Sequence, residues 1–302
     1  VIETAGVYIG PAGWSYPDWN GIVYPQNRPP GFDELAWIAG MFNLVEVNSS
    51  FYRVPSPKTV ESWVRRVAAR SDFLFSVKAF RGFTHERDAT ERDARSFRAA
   101  LEPLAAAGRL AAVLFQFEWR FEDRPEHRDL LRGLADRFRD LPRAVEVRHA
   151  SWNHEDALDF FRADGWSFCN VDQPRSQASI TGTAYVTAAT AYVRLHGRNR
   201  EAWFRKDAGR DERYNYYYSR RELEYWVRAA HAMAAEAERI LIVANNHFRG
   251  QAVANALQLA AMLTGTVPEV PASLAQAYPD LAPRVDAGGP SEAEGTCNPC
   301  DS

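Results

Sequence analysis

Glu46 and Glu146 stand in two stretches that share one grammar. In LVEVN (44–48), period-2 alternation sets Val45 and Val47 on one face of a strand and Glu46 and Asn48 on the other. In AVEVRHASW (144–152), Val145 and Val147 face one way, Glu146 and Arg148 the other. A carboxylate opposite a strand's valines, twice, is material for general acid–base chemistry, because burial and neighbouring charges tune its proton affinity. His196, at the end of YVRLH, is a third acid–base candidate. Lys78, at the end of FSVK, could act as an electrophile or form a Schiff base, with charge pairing the weightier reading.

Other strand ends carry polar groups that could bind a substrate. They are Ser76, Gln116, Asn170, Asp172, Arg194, Asn245, Asn246 and His247, with Arg81 and Arg198 just beyond. Lys78, Arg81, Arg148, Arg194, Arg198 and Arg200 outnumber Glu46, Glu146 and Asp172, which suggests an anionic substrate. In NNHFRGQ (245–251), directly before a helical pattern, backbone N–H groups and Arg249 could hold a phosphate. The bland account of any one of these residues is a structural ion pair or a solvated face. For the ring as a whole that account is weaker, since a barrel built only for stability fills such layers with Val, Ile and Leu. Aromatic residues crowd the same loops: Trp14, Tyr16 and Trp19; Phe51 and Tyr52; Trp119; Trp152; and Trp203, Phe204, Tyr214 and Tyr216–Tyr218. Most should pack loops onto the rim; some could face a sugar or a base.

The elements that must position these residues are eight β-rich runs: 7–10, 44–48, 73–78, 110–117, 144–148, 166–172, 191–196 and 240–245. Helical segments lie between most of them. Asp33, Ser56-Pro57, Thr90, Asn153 and the Ser219/Glu222 capping box mark helix starts, and helices are also expected over 125–139 and 249–263. Pro103 should kink its helix or start a new turn. The connection 171–191 lacks a clear helix. Such alternation predicts an α/β fold, a single (β/α)8 TIM barrel. A doubly wound sheet is the runner-up, but GPAGWSYPDW after the first strand does not match G-x-G-x-x-G. The loop 197–218 is long and reads as a lid. One barrel domain, 1–285, and a disordered tail, 286–302, are expected.

Bulk properties exclude several classes. The 302 residues carry a net charge of −3, which argues against a general nucleic-acid coat protein. Cys169 falls in a strand and Cys297 and Cys300 in the tail, so no disulfide framework is expected and a cytoplasmic location is the default. No membrane span or signal peptide is visible. Glu146, Asp172, His196 and His247 could converge on a divalent metal, but no H-E-x-x-H or Cys ligand set is present, and the sequence requires no cofactor. The terminal C-x-x-C has no partner pair and implies neither zinc nor redox function.

The segments GPAGWSYPDWNGIVYP, VEVNSSFYRVPSPKTVESW, FSVKAFRGFTH, VLFQFEW, VEVRHASW, YVRLHGR and NNHFRGQAVANAL together resemble the YecE-like family, domain of unknown function 72. The resemblance covers residues 8–281 and implies a TIM barrel, in agreement with the strand count; it implies no reaction. Its motifs include Trp14, Glu46, Asn48, Tyr52, Lys78, Gln116, Glu146, Arg148, Arg194, His196, Arg198, Asn245, Asn246 and His247.

Three functions fit. The first is an enzyme, a hydrolase or isomerase, acting on a small phosphorylated or sugar-containing anion by carboxylate and histidine chemistry. The second is a metal-dependent phosphodiesterase on nucleic acid. The third is a non-enzymatic ligand-binding or interaction protein. Oligomeric state is left open.

Overall fold

The computed structural model describes residues 6–281 apart from 181, 204, 206, 267 and 268. The expected tail, with Cys297 and Cys300, and Phe204 lie outside the described residues. All eight expected strands form: β1 (Gly6–Pro11), β2 (Leu44–Val47), β3 (Leu74–Lys78), β4 (Leu110–Gln116), β5 (Arg143–Glu146), β6 (Ser167–Asp172), β7 (Thr190–Leu195) and β8 (Arg239–Ala244). They are parallel neighbours in the order β1-β8-β7-β6-β5-β4-β3-β2, a TIM-type barrel with one seam.

The helices between the strands are α1 (Glu34–Met41), α2 (Pro57–Arg66), α3 (Arg81–Thr84), α4 (Glu91–Ala106), α5 (Pro125–Arg137), α6 (Glu155–Ala163), α7 (Arg200–Trp203), α8 (Arg210–Arg213) and α9 (Arg220–Met233), and α10 (Gln251–Thr264) and α11 (Ala272–Ala277) follow β8. Asp33, Ser56, Thr90 and Ser219 cap their helices through the side chain, as their types predict. Two expectations differ. The N-cap of α6 is His154, because the Asn153 side chain is taken by the Tyr185 hydroxyl. Helix α4 runs through Pro103 without a new start; Ala100, Leu101 and Leu104 are buried on either side and offset the one hydrogen bond forfeited.

Val45 and Val47, with Val145 and Val147, point outward into one apolar shell under the helices, while β7, β8 and β1 pack on a second. The barrel interior is a third cluster: Ala12, Leu44, Leu74, Ala112, Leu114, Ala144, Cys169, Val171, Tyr192, Leu241 and Val243. It is apolar toward the amino ends of the strands and polar toward their carboxyl ends.

The seam between β1 and β2 is closed by few bonds. The Asn43 side chain accepts from Ile9 N–H at 2.8 Å and donates to the Val7 carbonyl at 2.9 Å. Gly13 N–H donates to the Glu46 carbonyl at 2.8 Å. Gly10 lets the two strands meet: a Cβ there would lie 1.7 Å from the Leu44 carbonyl oxygen. Gly10→Ala is therefore expected to destabilise the protein by about 1–3 kcal/mol or more. Equilibrium urea unfolding measures this, and an unchanged midpoint would show that the seam yields freely.

Candidate functional site

The polar end of the barrel is built around Arg194. Alternation on β7 sends Ala191, Val193 and Leu195 outward and Tyr192, Arg194 and, just past the strand, His196 inward. The Arg194 guanidinium is 2% exposed and bridges two carboxylates, with Nη1 donating to Glu146 at 2.5 Å and Nη2 to Glu46 at 2.6 Å. Burial opposes its charge, but Glu146 and Glu46 overcome that and hold it firmly protonated. Glu46 and Glu146 face each other across the barrel, and Arg194 fills the gap between them.

Glu146 also accepts from Arg148, at 2.6 Å from Nη2, and from His196 Nε2 at 3.1 Å. Burial would raise its proton affinity; Arg194 and Arg148 reverse this and hold it well below the usual carboxylate range. His196 is fully buried, and that burial, against the pull of Glu146, brings its pKa down to about 3. The ring is therefore neutral near pH 7. Asn245 donates to Nδ1 at 2.9 Å, which leaves the proton on Nε2 to reach Glu146. On the far side, Tyr192 OH donates to Glu46 at 2.8 Å and lies 2.6 Å from Ser76 Oγ. Tyr192 is the residue the sequence reading missed, although two positions before Arg194 on one strand was the signal.

Lys78 stands apart from this network. It projects from the end of β3, partly buried, with Nζ 3.9 Å from the centre of the Phe51 ring. The charge pairing expected of it does not form: the nearby Glu46 and Glu146 are engaged by Arg194 and Arg148, and no ion pair to Lys78 occurs among the described residues. Burial, then repulsion from Arg194, lowers its pKa from 10.5 to about 7, against the opposite pull of Glu146 and Glu46.

The loop after β7 covers the mouth. Trp203 and Tyr214 lie over His196 at ring distances of 6.1 and 6.2 Å, and Trp203 also faces the Arg148 guanidinium at 5.7 Å. Tyr214 meets His247 at 5.3 Å, and His247 stacks on Tyr16 at 4.6 Å. The tyrosine run anchors the loop's far end. Tyr218 OH accepts from Gly197 N–H, Tyr216 OH donates to Glu222, and Tyr217 OH accepts from Gln258.

The remaining expected site residues divide. Gln116 ends β4 and Asn48 directly follows β2, and Trp14 packs edge-on against Trp63. Tyr52 is 67% exposed at the rim. Asp172 does not face the mouth. Strand β6 turns Cys169 and Val171 inward, so Asn170 and Asp172 point to α9, one residue out of phase with the expectation. There Asp172 holds Arg198 at 2.6 Å and accepts from Trp226 at 2.7 Å, which removes Arg198 from the substrate-facing set as well. Arg81 pairs with Glu86 on the surface. The Asn246 amide bonds the Tyr216 carbonyl and Asn255 behind the barrel wall. The phosphate seat expected at Arg249 is filled: Arg249 N–H, at φ 51°, donates to the Asp18 carboxylate at 2.5 Å, and its side chain is exposed. With Asp172 outside the wall, the four expected metal ligands do not converge. No group of three or more His, Cys, Asp or Glu among the described residues is placed to hold a metal ion.

Two open clefts, of about 360 and about 400 Å³, lie on the helical shell, one beside Asp123 and Arg128, the other beside Asp136 and Arg139. Arg128 pairs with Asp123 and Arg139 with Asp136, and nothing there matches the buried chemistry of the mouth.

Residues 8–279 match the family model described as "Protein of unknown function DUF72". The UPF0759 protein YunF of Bacillus subtilis is 31% identical over 272 residues, 85% of this chain and 94% of that protein. A solved DUF72 protein of Thermotoga maritima aligns with TM-score 0.75 and 31% identity over 86% of this chain and 99% of its own. One from Enterococcus faecalis aligns with TM-score 0.76 and 27% identity over 85% and 95%. Among the described residues no helix is long and apolar enough to cross a membrane.

Proposed function

This chain belongs to the DUF72 family of proteins of unknown function, and we propose that its barrel mouth is the active site of an enzyme acting on a small anionic molecule by proton transfer. One observation carries the reading. The buried carboxylates Glu46 and Glu146 are matched by Arg194 and Arg148, and Lys78 stands above them as a further base without a carboxylate of its own. An anion entering beside Lys78 and Arg148 would complete the charge balance of the mouth.

The division of labour differs from the one the sequence suggests. Glu146 is held too acidic, and His196 too weakly basic, to exchange protons near neutrality. We assign them to holding Arg148 and Arg194 in place. Glu46 does the same from the other side. Lys78, with a pKa of about 7, is the group suited to move a proton at physiological pH. Trp203 and Tyr214 shelter His196 from water, and Trp203 does the same for the Arg148 guanidinium.

Thermal unfolding against inorganic phosphate, a sugar phosphate and a sugar acid tests this. At least one anion should stabilise the protein, by about 2.7 kcal/mol at a hundredfold excess over its Kd. Lys78→Met and Arg148→Met should lose that gain. Neutral analogues that stabilise equally well would sink the anion reading. A nucleic-acid oligomer that stabilises more than any small anion, with a steep loss on adding salt, would favour the phosphodiester reading instead.

A further inference from the structure

Only three of this chain's 36 lysines and arginines are lysine: Lys58, Lys78 and Lys206. The structural cations described above, from the Arg194 bridge to the Arg198–Asp172 clamp, are arginines. Lys58 lies exposed on α2. Of the two described lysines, Lys78 sits at the end of a barrel strand, facing the interior. An arginine there would hold an anion better, through its planar fork, and could not be deprotonated. What a lysine adds is an amine whose lone pair can be freed.

The surroundings free it. Glu46 from β2 and Glu146 from β5 are spent on Arg194 and Arg148, which stand on the same side as further positive charges. His85, after α3, is also near, and burial, then Lys78, lowers its pKa. The apolar ring of Phe51 lies beneath Nζ, and Phe51 is in turn packed by Tyr52 and His85 at 5.1 and 4.9 Å. The result is a half-sheltered amine whose pKa of about 7 leaves a large unprotonated fraction at neutrality.

We propose that Lys78 is an imine-forming nucleophile for a carbonyl compound that carries an anionic group, with Arg148 beside it to receive the anion. This deepens the reading given above and rests on it. The Nζ lone pair adds to the carbonyl carbon, and a C–N bond forms. The carbinolamine oxygen takes up both former N–H protons and leaves as water. A proton from solvent makes the imine a cation, which then draws electrons from the neighbouring carbon and eases proton loss or C–C cleavage there. Water returns the free amine.

Reductive trapping tests this on the full chain. Glyoxylate and propionaldehyde, similar in size but differing in charge, are each supplied with cyanoborohydride from pH 6 to 9, and the modified lysines are mapped by mass spectrometry. Glyoxylate should label Lys78 at least about tenfold faster than the ordinary amine of Lys58. The rate should rise through a midpoint near pH 7, and propionaldehyde should show a smaller preference for Lys78. Lys78→Met, which removes the amine without leaving a charge beside Arg148 and Arg194, should fold and leave only slow labelling elsewhere. If Lys78 is labelled no faster than Lys58 by either aldehyde, the imine inference is overturned, while thermal stabilisation by non-carbonyl anions still decides the anion reading. Equal fast labelling by both aldehydes supports the nucleophile and removes the anionic requirement.

Discussion

Replacing Glu146 with alanine is expected to destabilise the protein by about 3–5 kcal/mol, the cost of leaving buried charges without their partner. The carboxylate is fully buried and holds three groups at once: Arg194, Arg148 and His196. Arg194 would keep Glu46 alone, and the His196 Nε2 proton would lose its acceptor. The Glu146→Leu, Arg194→Met double variant should lose clearly less than the sum of the two single changes, because it removes the orphaned charge together with its partner. The pH dependence has a definite sign. Arg194 and Arg148 depress the folded-state pKa of Glu146, so its contribution is complete above the ordinary carboxylate value of 4.5 and is lost as pH falls through the folded value. The advantage of wild type over Glu146→Gln should therefore hold steady from pH 7 to about 5 and narrow in acid. Urea unfolding between pH 3 and 7 measures both effects. An alanine variant within about 1 kcal/mol of wild type would mean that Arg148 and Arg194 are served by solvent, and would end the account of a closed charge network.

Lys78→Met is expected to do the opposite, and to stabilise the protein at pH 6. Here the unfolded pKa is 10.5 and the folded one about 7, so the unfolded chain binds more protons between them and stability rises with pH across that window. Below pH 7 the folded state carries the whole penalty of a charged amine among Arg148 and Arg194. Methionine fills the same volume without that charge. The gain should be on the order of 3–5 kcal/mol at pH 6 and should fade toward zero by pH 10. The same variant should lose whatever turnover the mouth supports, since it has no proton to give and no lone pair to offer. Parallel unfolding at pH 6 and pH 9.5 decides the stability half. A variant less stable than wild type at pH 6 would mean that Lys78 is a packing or pairing residue, and the functional argument would fall with it. A residue that weakens the fold where it stands is what a working site leads one to expect.

Both predictions depend on the buried network, and the sequence exposed that network unevenly. Strand existence was plain wherever valines alternated with charges, as at 44–48 and 144–148, because one side of the pattern could only face the helices. Asp33, Ser56, Thr90 and Ser219 announced their helices because capping is a local bond over three residues. Strand β6, SFCNVD, gave no such lead. Cysteine and valine alternate there with asparagine and aspartate, and either set could line a polar barrel. The clamp on α9 settled it: Asp172 finds Arg198 and Trp226 outside the wall. The phosphate seat misled for a related reason. The NNHFRGQ loop does offer backbone N–H groups, but Asp18, far away in the chain, delivers its own carboxylate to Arg249.

By itself, then, the sequence determined the eight-fold alternation, the caps, the polar carboxyl ends of the strands and the long loop over them, all of which follow from spacing within one element. Only the tertiary structure decided which polar groups meet. Glu46, Glu146 and Arg194 come from β2, β5 and β7, and one guanidinium reaching both carboxylates depends on the curvature and register of a barrel drawn closed at Gly10 and Asn43. That pairing is what leaves Lys78 without an acid. The freedom of its amine is a property of the assembled charges around it and cannot be read from the residues beside it in the chain.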